Sequence, residues 1–111
     1  MQRTRLQRKR RVRARIFGTA ERPRVSVWRS NRSLGVQFID DVTRQTLMAV
    51  DSRHMETTGG KTDVAREVGA AAAAQAKERG ITYIVFDRGE HRYHGRVKAV
   101  AEALRAGGLE F

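Results

Sequence analysis

Residues 24–40, RVSVWRSNRSLGVQFID, decide the fold. From Arg24 to Ser30 the chain alternates: Val25 and Val27 are apolar, while Arg24, Ser26 and Trp28 point the other way. That two-residue period is the mark of a strand with one buried face. Asn31 and Ser33 signal a turn, and Leu34 to Asp40 alternates again, with Leu34, Val36 and Phe38 opposite Gly35, Gln37 and Ile39. Asp40-Asp41 opens a further turn, and Thr46 to Asp51 supplies a third strand containing Leu47, Ala49 and Val50. Links this short join antiparallel neighbours, so the three strands are expected to form a meander.

Beyond the meander the pattern becomes helical. Thr62 or Asp63 is suited to cap a helix running to about Arg79, in which Val64 and Val68 precede the alanine run Ala70 to Ala74. Alanine combines high helix propensity with a slim face that lets a helix lie close on a sheet. Gly80 stops the helix, and Ile81 to Phe86 is the mostly apolar run of a buried central strand. A polar loop at 87–95 leads into a helix from Arg96 to Ala106, striped by Val97, Val100, Ala101 and Leu104 and ended by Gly107-Gly108. The third strand, first helix and fourth strand make a crossover unit, expected to be right-handed. The fold class is therefore α/β: a single domain whose mixed sheet has a three-strand antiparallel meander plus a parallel fourth strand. Helices are expected on the face bearing Val25, Val27, Leu34, Val36, Phe38, Leu47 and Ala49.

Upstream of this body the composition changes. Residues 1–24 carry Arg3, Arg5, Arg8, Lys9, Arg10, Arg11, Arg13, Arg15, Arg22 and Arg24 against the single acid Glu21, a net +9, while the rest of the chain nets only +2. Pro23 pushes Arg22 into an extended conformation and marks a boundary: an arginine-rich arm at 1–22 and a globular domain at 23–111. Within the arm Val12 and Ile16 lie four apart, and Gly18 could close a short helix. Like charges at this density repel, so the arm is expected to order only when phosphates neutralise it. Planar guanidinium groups suit bidentate phosphate contacts and stacking on bases, which points to nucleic acid.

Composition removes other classes. The chain has no cysteine, hence no disulfide framework, thiolate metal site or cysteine nucleophile. Nothing in it has the length of a membrane-spanning helix, and no apolar stretch follows the basic start as a secretory signal requires. The arm is as arginine-rich as a mitochondrial presequence but lacks its serine content and apolar face. A cytoplasmic protein is the default. Gly60-Lys61-Thr62 ends like a phosphate-binding P-loop, yet the required first glycine would fall at Met55. His91 and His94 sit among arginines without a carboxylate cluster, so no metal site is expected. No nucleophile–base pair stands out.

Two places could carry binding. On the face opposite the helices stand Arg24, Ser26, Trp28, Gln37 and Thr46. Trp28 there could stack on an unpaired base, or it could instead cover a second small core with Ile39 and Met48. The richer motif is Asp87-Arg88-Gly89-Glu90-His91-Arg92-Tyr93-His94-Gly95-Arg96, between a buried strand and a helix start, where α/β proteins place ligand sites. Its glycines allow close backbone approach, the following helix N-terminus attracts phosphate, and Tyr93 with the histidines can stack or donate. The alternative is a plain polar loop, with Asp87 pairing Arg88 or Arg92 and Gly95 capping the helix.

The blocks Gly59-Gly60-Lys61-Thr62 with Val64-Ala65-Arg66, Phe86-Asp87-Arg88-Gly89, Tyr93-His94-Gly95-Arg96-Val97 and Gly107-Gly108-Leu109-Glu110-Phe111 closely resemble the bacterial ribosomal protein L-eighteen family, as do Arg24-Val25-Ser26-Val27, Arg29-Ser30 and Ile39-Asp40-Asp41. The resemblance spans nearly the whole chain. It implies a ribonuclease H-like motif with the fourth strand parallel to and beside the first, bringing Arg29 and Ser30 next to Asp87, Arg88 and Gly89. Enzymes with that motif hold metal ions on carboxylates of these neighbouring strands, whereas the first strand here offers no acid, so no enzyme activity and no cofactor are expected. The function implied is a structural one in the large ribosomal subunit: binding 5S rRNA and attaching it to the 23S rRNA, close to the other 5S rRNA-binding proteins. The expected RNA-binding set is the arm residues from Arg3 to Arg22 named above, the face residues Arg24, Ser26, Trp28 and Gln37, the turn Arg29, Ser30, Asn31 and Arg32, and the loop residues Arg88, Gly89, His91, Arg92, Tyr93, His94, Gly95 and Arg96. Neither a membrane nor a small-molecule substrate is expected as partner. A metal-dependent nuclease using Asp87 and a DNA-compacting protein are the alternatives, and neither accounts for the block at 86–97.

Overall fold

A computed structural model of the chain describes residues 16–31, 33–89 and 95–111. The elements follow in the order β1 (Arg24–Arg29), β2 (Leu34–Asp40), β3 (Gln45–Asp51), a 3-10 turn (Ser52–His54), α1 (Lys61–Glu78), β4 (Val85–Asp87) and α2 (Gly95–Ala106). The sheet order is β3-β2-β1-β4. β2 is antiparallel to both β1 and β3, and β4 runs parallel to β1. This is the mixed sheet that the alternation and the crossover imply.

Both helices cover one face of the sheet. Val25, Val27, Leu34, Val36 and Phe38 are buried there against Ala65, Val68, Ala72, Ala73 and Ala76 of α1 and Ala99, Val100 and Leu104 of α2. The alanine run thus gives a slim contact surface, and the two helices approach closely at Gly69: a Cβ there would stand 2.7 Å from the Cβ of Ala103. Such a residue cannot be enlarged without parting the helices, an overpacking cost of about 1–3 kcal/mol.

Three expectations need correction. On β3 the buried residues are Met48 and Val50, while Leu47 is half-buried and Ala49 exposed. The cause is a register shift between Phe38 and Ile39: Phe38 pairs with Met48 but Ile39 with Thr46, so Leu47 is the extra residue of a bulge. One residue of slip exchanges the two faces of a strand. The fourth strand also lies at the edge of the sheet, not its centre, and is shorter than Ile81–Phe86, pairing with β1 only over Val85–Asp87. Ile81 and Ile84 are buried before pairing begins, and the tail runs alongside them, with the Ile84 amide donating to Glu110 and the Glu110 amide to Thr82. Finally, α1 is capped by Gly60 rather than Thr62 or Asp63; the Asp63 carboxylate, one turn in, reaches back to accept from the Gly60 amide at 3.1 Å.

The segment before β1 is laid against the sheet. The Gly18 amide donates to the Asp41 carboxylate at 2.8 Å and the Asp41 amide to the Gly18 carbonyl at 2.9 Å. Pro23 is fully buried. The helix suggested around Val12 lies outside the described residues. No described helix is long and apolar enough to cross a membrane.

Candidate nucleic-acid interface

The face of the sheet away from the helices carries Arg24, Ser26 and Trp28 from β1, Gly35 and Gln37 from β2, and Asp87 from β4. Its centre is an ion network. The Arg24 guanidinium donates to both oxygens of Asp41 (Nε to Oδ2 at 2.9 Å, Nη2 to Oδ1 at 3.0 Å) and, through Nη1, to Asp87 at 2.9 Å. The hydrogen bonds from Asp41 above all, against the cost of burial and with help from Asp87, raise the Arg24 pKa further above its ordinary value. Asp87 is 3 % exposed, and its other oxygen accepts from the Gly89 amide at 2.7 Å. Of the two neighbours expected from the sequence, Arg88 is exposed and not its partner, and Arg92 lies outside the described residues. Arg24 locks the strand-to-strand arrangement, and Asp87 aims the loop that leaves β4. Gly89 adopts a left-handed backbone (φ 60°), which suits a residue without Cβ.

Register corrects one implied juxtaposition. β4 ends opposite Ser26, three residues short of Arg29. What meets the β1–β2 turn instead is Arg96 from the first turn of α2, donating to the carbonyls of Ser30 (3.1 Å) and Ser33 (3.0 Å). Burial chiefly, and then the charge of Arg29, lower its pKa from the usual arginine value. The turn is closed by the Ser30 amide on the Ser33 carbonyl and by the two hydroxyls 2.8 Å apart. Arg24 and Arg96 thus hold the protein together, whereas Arg29, Ser30 and Asn31 are exposed at the turn and Arg88 is exposed at the start of the loop after β4.

Trp28 does not sit over a second core. Met48 belongs to the helix side, and the indole lies across Gly35, where a Cβ would come within 2.5 Å of the ring. Arg53 lies over the indole, its guanidinium carbon 5.3 Å from the ring centroid. Arg53 is itself held by Asp51 through Nε at 3.0 Å and Nη2 at 2.6 Å. The result is a stacked indole–guanidinium plate at the surface. Arg53 was not legible as a site residue: it sits in the unpatterned stretch Asp51-Ser52-Arg53-His54, and only the strand ending just before it, opposite Gly35, sets it over Trp28.

Ser26 and Gln37 are half-buried between the ion network and Trp28, and Gly95 opens α2 with φ 55°. Arg22 lies elsewhere, over Tyr83, 5.7 Å from its ring centroid. The arm residues Arg3, Arg5, Arg8, Lys9, Arg10, Arg11, Arg13 and Arg15, together with Arg32, His91, Arg92, Tyr93 and His94, lie outside the described residues. Among the described residues no group of three or more histidines, cysteines or acids is set to hold a metal ion.

Comparison with known proteins bears on the same chain. A family model described as "Ribosomal L18 of archaea, bacteria, mitoch. and chloroplast" matches residues 1–111. The chain is 54 % identical to the large ribosomal subunit protein uL18 of Exiguobacterium sibiricum over 108 residues, covering 97 % of this chain and 92 % of that protein. It is 54 % identical to the protein of the same name from Bacteroides thetaiotaomicron over 101 residues (91 % and 89 % covered) and 49 % identical to that from Staphylococcus haemolyticus over 110 residues (96 % and 92 % covered).

Proposed function

Because the chain belongs to the ribosomal L18 family, we propose that it is a structural, non-enzymatic component of the large ribosomal subunit that binds 5S rRNA and helps to attach it to the 23S rRNA. Its place is the subunit in the cytoplasm, beside the other 5S rRNA-binding proteins. The observation that carries this reading is the match over all 111 residues. The geometry of the open sheet face supports it.

The working parts divide by chemistry. The eight basic residues from Arg3 to Arg15 track phosphates and supply most of the salt-dependent affinity. Arg29, Ser30, Asn31 and Arg32 at the β1–β2 turn, and the loop from Arg88 to Gly95 with His91, Arg92, Tyr93 and His94, make the contacts that depend on RNA shape and on unpaired bases. The Trp28–Arg53 plate offers a stacking surface, and Ser26 and Gln37 offer hydrogen bonds beside it. Arg24 and Arg96 act as positioning residues: one fixes the start of the loop through Asp87, the other fixes the turn. Binding of the full chain to 5S rRNA against transfer RNA at near-physiological salt tests the reading. A strong preference for 5S rRNA is expected; equal binding would overturn it.

A further inference from the structure

A second surface lies at the free edge of β4, away from the Trp28 plate. Phe86 and Phe111 stack there with ring centroids 5.5 Å apart and planes 23° from parallel. Arg105 lies over the Phe111 ring at 4.2 Å from its centroid and donates to the Phe111 carbonyl at 3.4 Å. The column borders a groove of about 580 Å³ whose lining includes Arg22 and Arg88. Arg22 in turn covers Tyr83. Tyr83 is 49 % exposed and Phe111 36 %.

Two features make this more than leftover surface. Large aromatic groups at a sheet edge would normally be covered or replaced by charge. Here each exposed ring carries an arginine, and the groove lining holds three arginines and no acid; Glu21 and Glu110, adjoining in sequence, are exposed outside it. An acidic or plainly apolar peptide would use only part of that chemistry. Flat rings and guanidinium planes flanked by cations suit a planar heterocycle with phosphates on either side.

We propose that this groove receives an unpaired RNA base, stacked on the outer face of the Arg105 guanidinium, which Phe111 backs, with its flanking phosphates held by Arg22 and Arg88. It gives the protein a second RNA contact on the β4 edge, adjoining the loop at Arg88 and separate from the β1–β2 turn. The choice of RNA as ligand rests on the ribosomal reading above.

The full ¹⁵N-labelled chain is titrated with single-stranded oligouridylate, and in parallel with an RNA duplex of equal length, at near-physiological salt. Amide shifts are expected at Tyr83–Arg88 and Arg105–Phe111 with the single strand, and much smaller ones with the duplex. Phe111→Leu keeps an apolar side chain but removes the ring that backs the Arg105 plane, and is expected to weaken the single strand about tenfold or more, whereas Phe111→Tyr retains binding. Shifts confined to other residues, equal shifts with duplex, or undiminished binding by Phe111→Leu would each overturn the groove. So would shifts there that depend on protein concentration without RNA, which would mean that a second copy occupies it. The 5S rRNA against transfer RNA preference, measured on the same samples, separates the two readings: its loss with the groove shifts intact removes the 5S assignment alone.

Discussion

Replacing Gly35 by alanine tests the central geometry of the open face. A Cβ at that position would come within 2.5–2.6 Å of three atoms of the Trp28 ring, far inside van der Waals contact. The indole is broad, fixed by two torsions and covered by Arg53, so it cannot yield by a small rotation. Overpacking of this kind costs about 1–3 kcal/mol. Against it, removing a glycine from a strand interior gains about 0.5–1 kcal/mol. Gly35→Ala is therefore expected to lower stability by up to roughly 2.5 kcal/mol in urea unfolding followed by far-ultraviolet circular dichroism. Trp28 is the only tryptophan, so its emission should shift at the same time as the ring leaves the strand and the Arg53 plane. In a Trp28→Ala background the clash is gone, and the same substitution should stabilise by about 0.5–1 kcal/mol. A sign that does not reverse between the two backgrounds, or unchanged emission in the single variant, would refute the contact.

Three further outcomes follow from the geometry. Asp87→Ala leaves Arg24 with one of its two carboxylates and the Gly89 amide without its acceptor, and is expected to cost about 3 kcal/mol in urea unfolding; Asp87→Asn, which keeps the amide acceptor, should cost less. The hydrogen bonds from the Arg53 side chain, outweighing partial burial, hold the Asp51 carboxyl below its usual range. Its folded pKa thus lies under the unfolded value of about 3.9, so its contribution is in place above that pH and fades as pH falls through the folded pKa. An acid titration of Trp28 emission should show this release of Arg53, and Asp51→Asn should lack the step. Removing residues 1–15 takes away eight basic side chains while sparing Gly18 and its bonds to Asp41, and should flatten the slope of log affinity against log salt by up to about 7; an unchanged slope would remove the arm from RNA binding.

Much of the fold is written in local patterns, and the places where it is not have definite causes. The alternation of Val25, Val27, Leu34, Val36 and Phe38 identifies two strands and their buried face without help from distant residues. The run Leu47-Met48-Ala49-Val50 is apolar throughout, so its phase depends on a bulge that no local pattern marks. The candidate site was legible in type more than in role. Arginines clustered near strand ends signal a polyanion, yet whether a given one faces solvent or closes the fold depends on partners far along the chain. Arg24 meets Asp87 63 residues away, and Arg96 meets Ser30 66 residues away. Arg53 and the Phe86–Phe111 column arise only once strands and tail are brought side by side.

That 63-residue separation also sets a timetable. β1 can pair with β2 as soon as both have been synthesised, but its other edge has no partner until β4 is made. At a synthesis rate of about 20 residues per second the nascent chain spends about 3 s with that edge open, while a hairpin closes in microseconds. An open strand edge is a template for pairing with another chain. The +9 segment at the front of the same polypeptide would make two such half-built chains repel, so that charge would also guard the growing chain.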